Sequence, residues 1–221
     1  MKRRRTARGA RTFNAIQDAA VDLIYEHGFE NMTNEMLARR VRIRKATLYH
    51  YISSKENLLF QILKRATNEG ITQSLQAELG NTPEEQLRLF VELSLRCGLK
   101  RKKETFIATS ELRSLTPEHR RILLELQRSH SGILRRIIKR GMETGVFEVP
   151  DSRITTAAIQ QMLIGTYSWY NPEGRLTERE FTSIYAALAL RMVGMPAAQA
   201  GRTETEPVMN SGRARARTTV A

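Results

Sequence analysis

Hydrophobic positions recur at three- and four-residue intervals over most of this chain, the spacing of helices with one buried face. No stretch alternates apolar and polar residues with the period of a strand. Ile16, Ala20, Leu23 and Ile24 form one stripe of a helix over about Thr12–His27, stopped by Gly28, with Phe29 returning to the core. Thr33 caps a short second helix that turns Leu37, Ala38 and Val41 inward. The pattern breaks at Arg42–Ile43, and a third helix from about Arg44 to His50 has only Ala46 and Leu48 as apolar residues. Ser53 with Glu56 reads as a capping box that opens a fourth helix near Ser54, carrying Leu58, Leu59, Ile62, Leu63 and Ala66.

The remainder predicts five more helices. Thr82-Pro83 starts one with the stripe Leu87, Phe90, Val91, Ser94 and Leu95. The charged cluster Lys100–Glu104 separates it from a short helix over about Thr105–Ser114. Thr116-Pro117 opens the next, which carries Ile122, Leu123, Leu126, Ile133, Leu134, Ile137 and Ile138 to a stop near Gly141–Gly145. Asp151 caps an eighth helix ending near Trp169, Asn171-Pro172-Glu173-Gly174 makes a turn, and Thr177 with Glu180 boxes the ninth. The fold class is all-α, with about nine helices. An N-terminal three-helix domain spans 11–55 and a larger helical domain spans 56–196, between a disordered basic arm (1–10) and a disordered tail (197–221).

Two short helices across a three- or four-residue turn, the second rich in polar side chains, describe a helix-turn-helix that reads double-stranded DNA in the major groove. Arg44 and Lys45 are the candidates for guanine O6 and N7, and Thr47 for a base edge or a thymine methyl. Tyr49, His50, Tyr51 and Lys55 are placed for phosphates, with half-buried packing as the alternative for the two tyrosines. Lys55, in the first turn of a helix, suits a phosphate clamp.

Charge sharpens this picture. The 221 residues carry a formal +13, and residues 1–55 hold twelve Lys/Arg against five acids. Cys97 is the single cysteine, so an internal disulfide is excluded, and a buried thiol in a cytoplasmic protein is expected. No apolar run approaches the length of a membrane span, and the basic N-terminus lacks the apolar core of a signal peptide. His27, His50, His119 and His130 are scattered without ligand spacing, so no metal or other cofactor is assigned. No nucleophile motif or Gly-rich phosphate loop argues for an enzyme.

The larger domain offers two roles. Phe90, Phe106, Leu112, Leu126, Met162, Tyr167 and Trp169 can line an apolar pocket for a small effector, although a plain core has the same composition. The last two helices carry Ala157, Ala158, Gly165, Ala186, Ala187 and Ala189, small residues that suit a two-fold homodimer interface or close packing within one chain.

These residues resemble a known family. Ala19-Ala20, Leu23, Gly28-Phe29, Thr33, Leu37-Ala38, Val41, Ile43, Lys45, Thr47-Leu48-Tyr49, His50-Tyr51, Ser54-Lys55-Glu56 and Leu58-Leu59 are similar to the DNA-binding domain of TetR-family bacterial regulators. Through that likeness Thr33 joins the DNA-binding set. Arg42 stands where the family usually has Gly, which costs about 1 kcal/mol if the backbone is left-handed. Arg44 stands where a Ser cap is usual, exchanging a cap for a groove-facing cation. Glu111-Leu112-Arg113-Ser114-Leu115 and the stretch Gly165–Leu176 resemble the branch that governs fatty-acid or steroid degradation. That resemblance implies an acyl-CoA effector, with its acyl chain in the pocket and Arg113, Arg175 and Trp169 serving the CoA moiety. The function implied is a dimeric, ligand-responsive repressor released from a palindromic operator. A nucleic-acid binder without sequence choice and an acyl-CoA-processing enzyme with a vestigial reader are the competing expectations.

Overall fold

The computed structural model describes residues 7–194. Among them are nine α-helices and two short 3₁₀ turns: α1 Ala7–His27, α2 Asn34–Val41, α3 Lys45–Tyr49, α4 Lys55–Leu75, a turn at Gln76–Leu79, α5 Pro83–Lys100, α6 Lys102–Ser110, a turn at Leu112–Ser114, α7 Pro117–Glu143, α8 Ser152–Trp169 and α9 Glu178–Met192. The basic arm at 1–6 and the tail from 195 lie outside the described residues.

Local chemistry explains most of the boundaries. Thr33, Thr82 and Thr116 each accept a hydrogen bond from an amide in the first turn of their helices. Asp151 accepts two such bonds, and Thr177 with Glu180 forms a complete capping box. Gly28, with φ 79°, ends α1 by taking a conformation that other residues avoid.

Three expectations need correction. First, α1 begins at Ala7 rather than Thr12, so residues 7–10 are helical; Thr12 bonds back to the Arg8 carbonyl instead of opening the helix. Second, the cap of α4 is Ser54, which accepts from the Asn57 amide, because Glu56 is drawn away to other partners and leaves no box with Ser53. Third, the charges at 100–104 are carried on helix rather than in a loop. Only Arg101 (φ −116°, ψ 37°) interrupts the run, and Arg101 and Lys103 both find carboxylates on neighbouring helices.

Two apolar cores result. The first gathers Ile16, Leu23, Leu37, Leu48, Leu59 and Leu63 under the helix-turn-helix and also takes in Ile107, Leu115 and Leu123. The second holds Leu87, Phe90, Leu95, Leu134, Ile138, Ile159, Leu163, Phe181 and Leu190 from α5, α7, α8 and α9. The first core is therefore not closed at residue 55: α4, α6 and α7 complete it, and this packing ties the reader to the rest of the molecule.

Candidate DNA-reading surface and effector cavity

The reader is built on one sharp turn. Arg42 follows α2 in the left-handed conformation (φ 59°, ψ 43°), the one non-glycine with positive φ among the described residues. Its amide reaches the Arg39 carbonyl at 3.1 Å, and the Ile43 amide reaches that of Ala38 at 3.0 Å. The chain then starts α3 from Arg44, whose side chain makes no capping bond. Leu48 plugs α3 into the first core with no exposure, which turns Arg44, Lys45, Ala46, Tyr49 and His50 to solvent and leaves Thr47 half-buried.

The other expected DNA contacts divide. Tyr49 is exposed, and its hydroxyl accepts from Asn34 Nδ2 at 3.3 Å, tying α3 to the start of α2. Tyr51 is half-buried against the first core, the packing alternative of its two expected roles. Thr33 spends its hydroxyl oxygen on the Met36 amide at 3.1 Å. Lys55 departs from the expected phosphate clamp. Its ammonium donates to the carbonyls of Phe29 (2.8 Å) and Glu30 (3.0 Å) and sits 4.5 Å from the centre of the Phe29 ring. It closes the loop after α1 because Gly28 leaves those carbonyls without helical partners.

Several contacts join the reader to the larger domain. Glu56 holds the Thr116 amide and the His119 ring, and that ring stacks on Phe60. Glu111 accepts from the Phe29 amide at 3.4 Å. On α6, Lys103 reaches Asp22 of α1 at 2.5 Å, and the Phe106 ring meets that of Tyr25 edge-on at 5.3 Å.

A cavity of about 510 Å³ lies among α4, α5, α6, α7 and α8, within the range of small-molecule sites. Of the residues expected to line it, Phe90 and Tyr167 do, together with Leu112. The others fall elsewhere. Phe106 turns to α1. Arg113, expected at the CoA moiety and not in the cavity, is exposed on the 3₁₀ turn after α6. Leu126 is half-buried on α7 outside the cavity, and Met162 packs against the second core. Trp169 is 60% exposed with its edge on Phe181. Arg175, the other arginine expected at the CoA moiety, is exposed in the α8–α9 turn. The reason is angular: α8 presents Tyr167 to the cavity, so Trp169, two residues on, points away from it.

Apolar periodicity missed the polar half of the lining. His130 Nε2 lies 2.8 Å from Ser74 Oγ, which lies 3.3 Å from Ser94 Oγ, and Ser131 donates to Gln160 at 3.0 Å. Burial pushes the His130 pKa down, which favours the neutral ring, and pushes those of the Cys97 thiol and the Tyr167 phenol up. Arg101 is the lining cation, and Glu69 and Glu104 both pair with it. The available sequence signal was a set of polar residues, such as Ser94 and His130, on helix faces that are otherwise apolar. Among the described residues no group of His, Cys, Asp and Glu is arranged to hold a metal.

The outer faces of α8 and α9 stay open. Ile154 (72% exposed), Ala157, Gln161 and Ile164 follow one exposed row of α8, of which Ala157, Gln161 and Ile164 also border the cavity, and Ile184, Leu188 and Met192 follow one row of α9. Ala186 and Ala189, expected at a dimer interface, are instead fully buried in the second core. Ala157, Ala158 and Gly165 are exposed, Ala157 at the edge of the cavity.

A short cationic helix held outward across a tight turn, on a larger helical domain with an internal cavity, defines a helix-turn-helix regulator with a ligand-binding domain. The chain belongs to the TetR family of bacterial transcriptional regulators. Residues 16–62 match the model of bacterial regulatory proteins of the tetR family, and residues 80–193 match the tetracyclin repressor-like C-terminal domain. It is similar to PfmR, a TetR family transcriptional regulator from Thermus thermophilus, with 31% identity over 80% of this chain and 97% of that one and a TM-score of 0.75. It is also similar to AibR, solved in complex with isovaleryl coenzyme A and operator DNA, with 26% identity over 80% and 97% of the two chains and a TM-score of 0.73. The Fatty acid metabolism regulator protein of Bacillus subtilis (strain 168) is 25% identical over 154 residues, 68% of this chain and 77% of that protein. No helix among the described residues is long and apolar enough to cross a membrane.

Proposed function

We propose that the chain acts as a homodimeric repressor that leaves a palindromic operator when an acyl-CoA of lipid or steroid breakdown binds its cavity. The observation that carries this reading is the double role of α6. Arg101, Glu104, Thr105, Ala108 and Thr109 face the cavity from α6 and the kink before it, while Lys103 and Phe106 on the other side grip α1 of the reader. α4 does the same along its length, with Leu63, Thr67 and Gly70 at the cavity and Glu56 at the reader junction. An effector that spreads these helices therefore moves the reader with them.

Ile154 of α8 with Ile184, Leu188 and Met192 of α9 supply the dimer face, burying against a second copy side chains that now meet water. Two readers about 34–36 Å apart meet half-sites one DNA turn apart, so a small change in spacing weakens binding. A coupling of about 1–3 kcal/mol changes operator affinity roughly 5- to 150-fold. Arg44 and Lys45 read bases in the groove, with Thr47 beside them, and Tyr49 and His50 flank the backbone.

The acyl-CoA reading draws support from two relatives, one named for fatty acid metabolism and one solved with isovaleryl coenzyme A. The cavity suits an acyl chain and its thioester, leaving the nucleotide end outside. Selection of bound DNA from a random pool, with and without a panel of acyl-CoAs, tests the proposal. Recovery of a palindrome that one thioester releases is the expected result. Scrambled DNA bound equally well, or thioester turned over by the protein, refutes it.

A further inference from the structure

Apart from the Arg101–Glu104 pair at one end, the polar groups inside the cavity carry no fixed charge and are set at separate levels. Phe90, Ser94 and Gly98 mark one row of α5, rising about 1.5 Å per residue, and Arg101 follows at its C-terminal end. At the Ser94 level, His130 bonds Ser74 through Nε2, while Nδ1 has no hydrogen-bond partner among the described residues. About 6 Å along the row, at Gly98, comes the Tyr167 hydroxyl, which likewise has no hydrogen-bond partner among the described residues. Space for that hydroxyl exists because position 98 lacks a side chain: a Cβ there would lie 2.0 Å from the phenol oxygen. A phenylalanine would fill the same volume with no polar atom left over. Beyond it, Arg101 is already paired with two carboxylates and offers no free charge to an anion.

We propose that the apolar body of the effector carries a neutral oxygen function, a keto or hydroxyl group set back from its activated end, which the Tyr167 hydroxyl and the His130 imidazole receive. This rests on the reading of the cavity as the effector site and narrows it from acyl chains at large to oxygenated ones. A ligand that shuts this hydroxyl off from water without giving it a partner is disfavoured, so a plain hydrocarbon chain is discriminated against more strongly than its size alone implies. A ligand with a carboxylate at this depth would find no unpaired cation, since Arg101 is held by Glu69 and Glu104.

The test uses the full chain and two ligand pairs. One pair sets decanoyl-CoA against its 5-oxo and 9-oxo derivatives; the other sets phenylcyclohexane against 4-phenylcyclohexanone, which share a skeleton and lack CoA. Dissociation constants are measured for the natural chain and for Tyr167→Phe, with circular dichroism melts to check folding; His130→Gln gives the same comparison if Tyr167→Phe melts early. The expected result is about a tenfold or larger preference for the oxygenated partner, lost in the variant. If the thioesters fail to bind but the ketone is preferred over its hydrocarbon, the oxygen inference stands and the acyl-CoA reading falls. If plain and oxygenated ligands bind equally, or the preference survives in both variants, the inference is overturned while thioester binding is left standing. A chain that takes none of these ligands overturns both.

Discussion

Glu56 in the first turn of α4 and His119 in the first turn of α7 meet with 2.8 Å between Oε1 and Nδ1. The same carboxylate accepts from the Thr116 amide at 2.9 Å, and the imidazole lies flat on Phe60 with 3.9 Å between ring centres. One side chain thus pins the reader end of α4 to the start of the longest helix.

The Glu56 contact makes stability pH-dependent. Burial alone would raise its carboxyl pKa, but the Thr116 amide and His119 outweigh burial and leave it below the usual carboxylate value. A pKa depressed on folding gives stabilisation that is present above the unfolded value and lost as pH falls through the folded one. Glu56→Gln should therefore cost about 1–2 kcal/mol at pH 7, read as a melting point lower by roughly 2–8 °C. The gap from the natural chain should close on acidification below about pH 4. A gap that stays constant down to pH 3 would assign the loss to packing instead.

Arg42 holds a conformation that costs a residue with a Cβ. Arg42→Gly should raise stability by about 1 kcal/mol, seen as a higher urea midpoint with an unchanged slope. An unchanged or lower midpoint would mean that the greater freedom of Gly in the unfolded chain cancels the relief.

Arg44 and Lys55 separate recognition from architecture. Arg44→Ala should alter the preferred operator sequence without moving the melting point, because its side chain caps nothing and faces solvent. Lys55→Ala removes two bonds to carbonyls and a contact with the Phe29 ring, so it should destabilise the fold by about 1.5–3 kcal/mol. The salt dependence of DNA binding should then stay as in the natural chain. A slope of log affinity against log salt reduced by about one in Lys55→Ala would restore its phosphate role.

How much of this was legible follows from what each residue's signal depends on. Helix caps such as Thr82 and Thr177 are local, so three or four letters reveal them. The left-handed Arg42 and uncapped Arg44 showed as departures from a familiar frame. Lys55 misled because its partners, the carbonyls of Phe29 and Glu30, lie twenty-five and more residues away and carry no side-chain signature. Glu56 misled in the same way: Ser53 offered a plausible local partner, and the actual ones are on α7. The cavity was half legible. Apolar spacing finds helix faces, but whether a face meets a void or a neighbour depends on how five helices cross, and Phe106 and Met162 went to neighbours.

Gly98 and Tyr167 form a matched pair. In Gly98→Ala the new methyl would sit 2.0 Å from the hydroxyl oxygen and 2.2 Å from Cζ, so the ring must leave. Overpacking of this kind costs about 1–3 kcal/mol and should remove any response to ligand. Adding Tyr167→Leu withdraws the clashing atoms and should recover most of the stability but not the response. A double variant as unstable as Gly98→Ala would show that the glycine serves the α5 backbone rather than the phenol.

The cavity reaches the reader in part through α6. Lys103 and Phe106 touch α1 through Asp22 and Tyr25, and neither lines the cavity. Ion pairs as exposed as Lys103–Asp22 contribute little to stability, about 0–1 kcal/mol, and Phe106 is 49% exposed. Removing both therefore tests transmission more than folding. In the double variant Lys103→Ala with Phe106→Ala, effector affinity measured without DNA should stay within about twofold of the natural chain, because the lining is intact. Operator release should weaken, because α6 has lost its grip on α1 while α4 keeps its own. Linkage makes the check reciprocal: the ratio of effector affinities with and without operator must shrink by the same factor as the ratio of operator affinities with and without effector. If both ratios stay at their natural values, α4 alone carries the coupling and the α6 contacts are only packing.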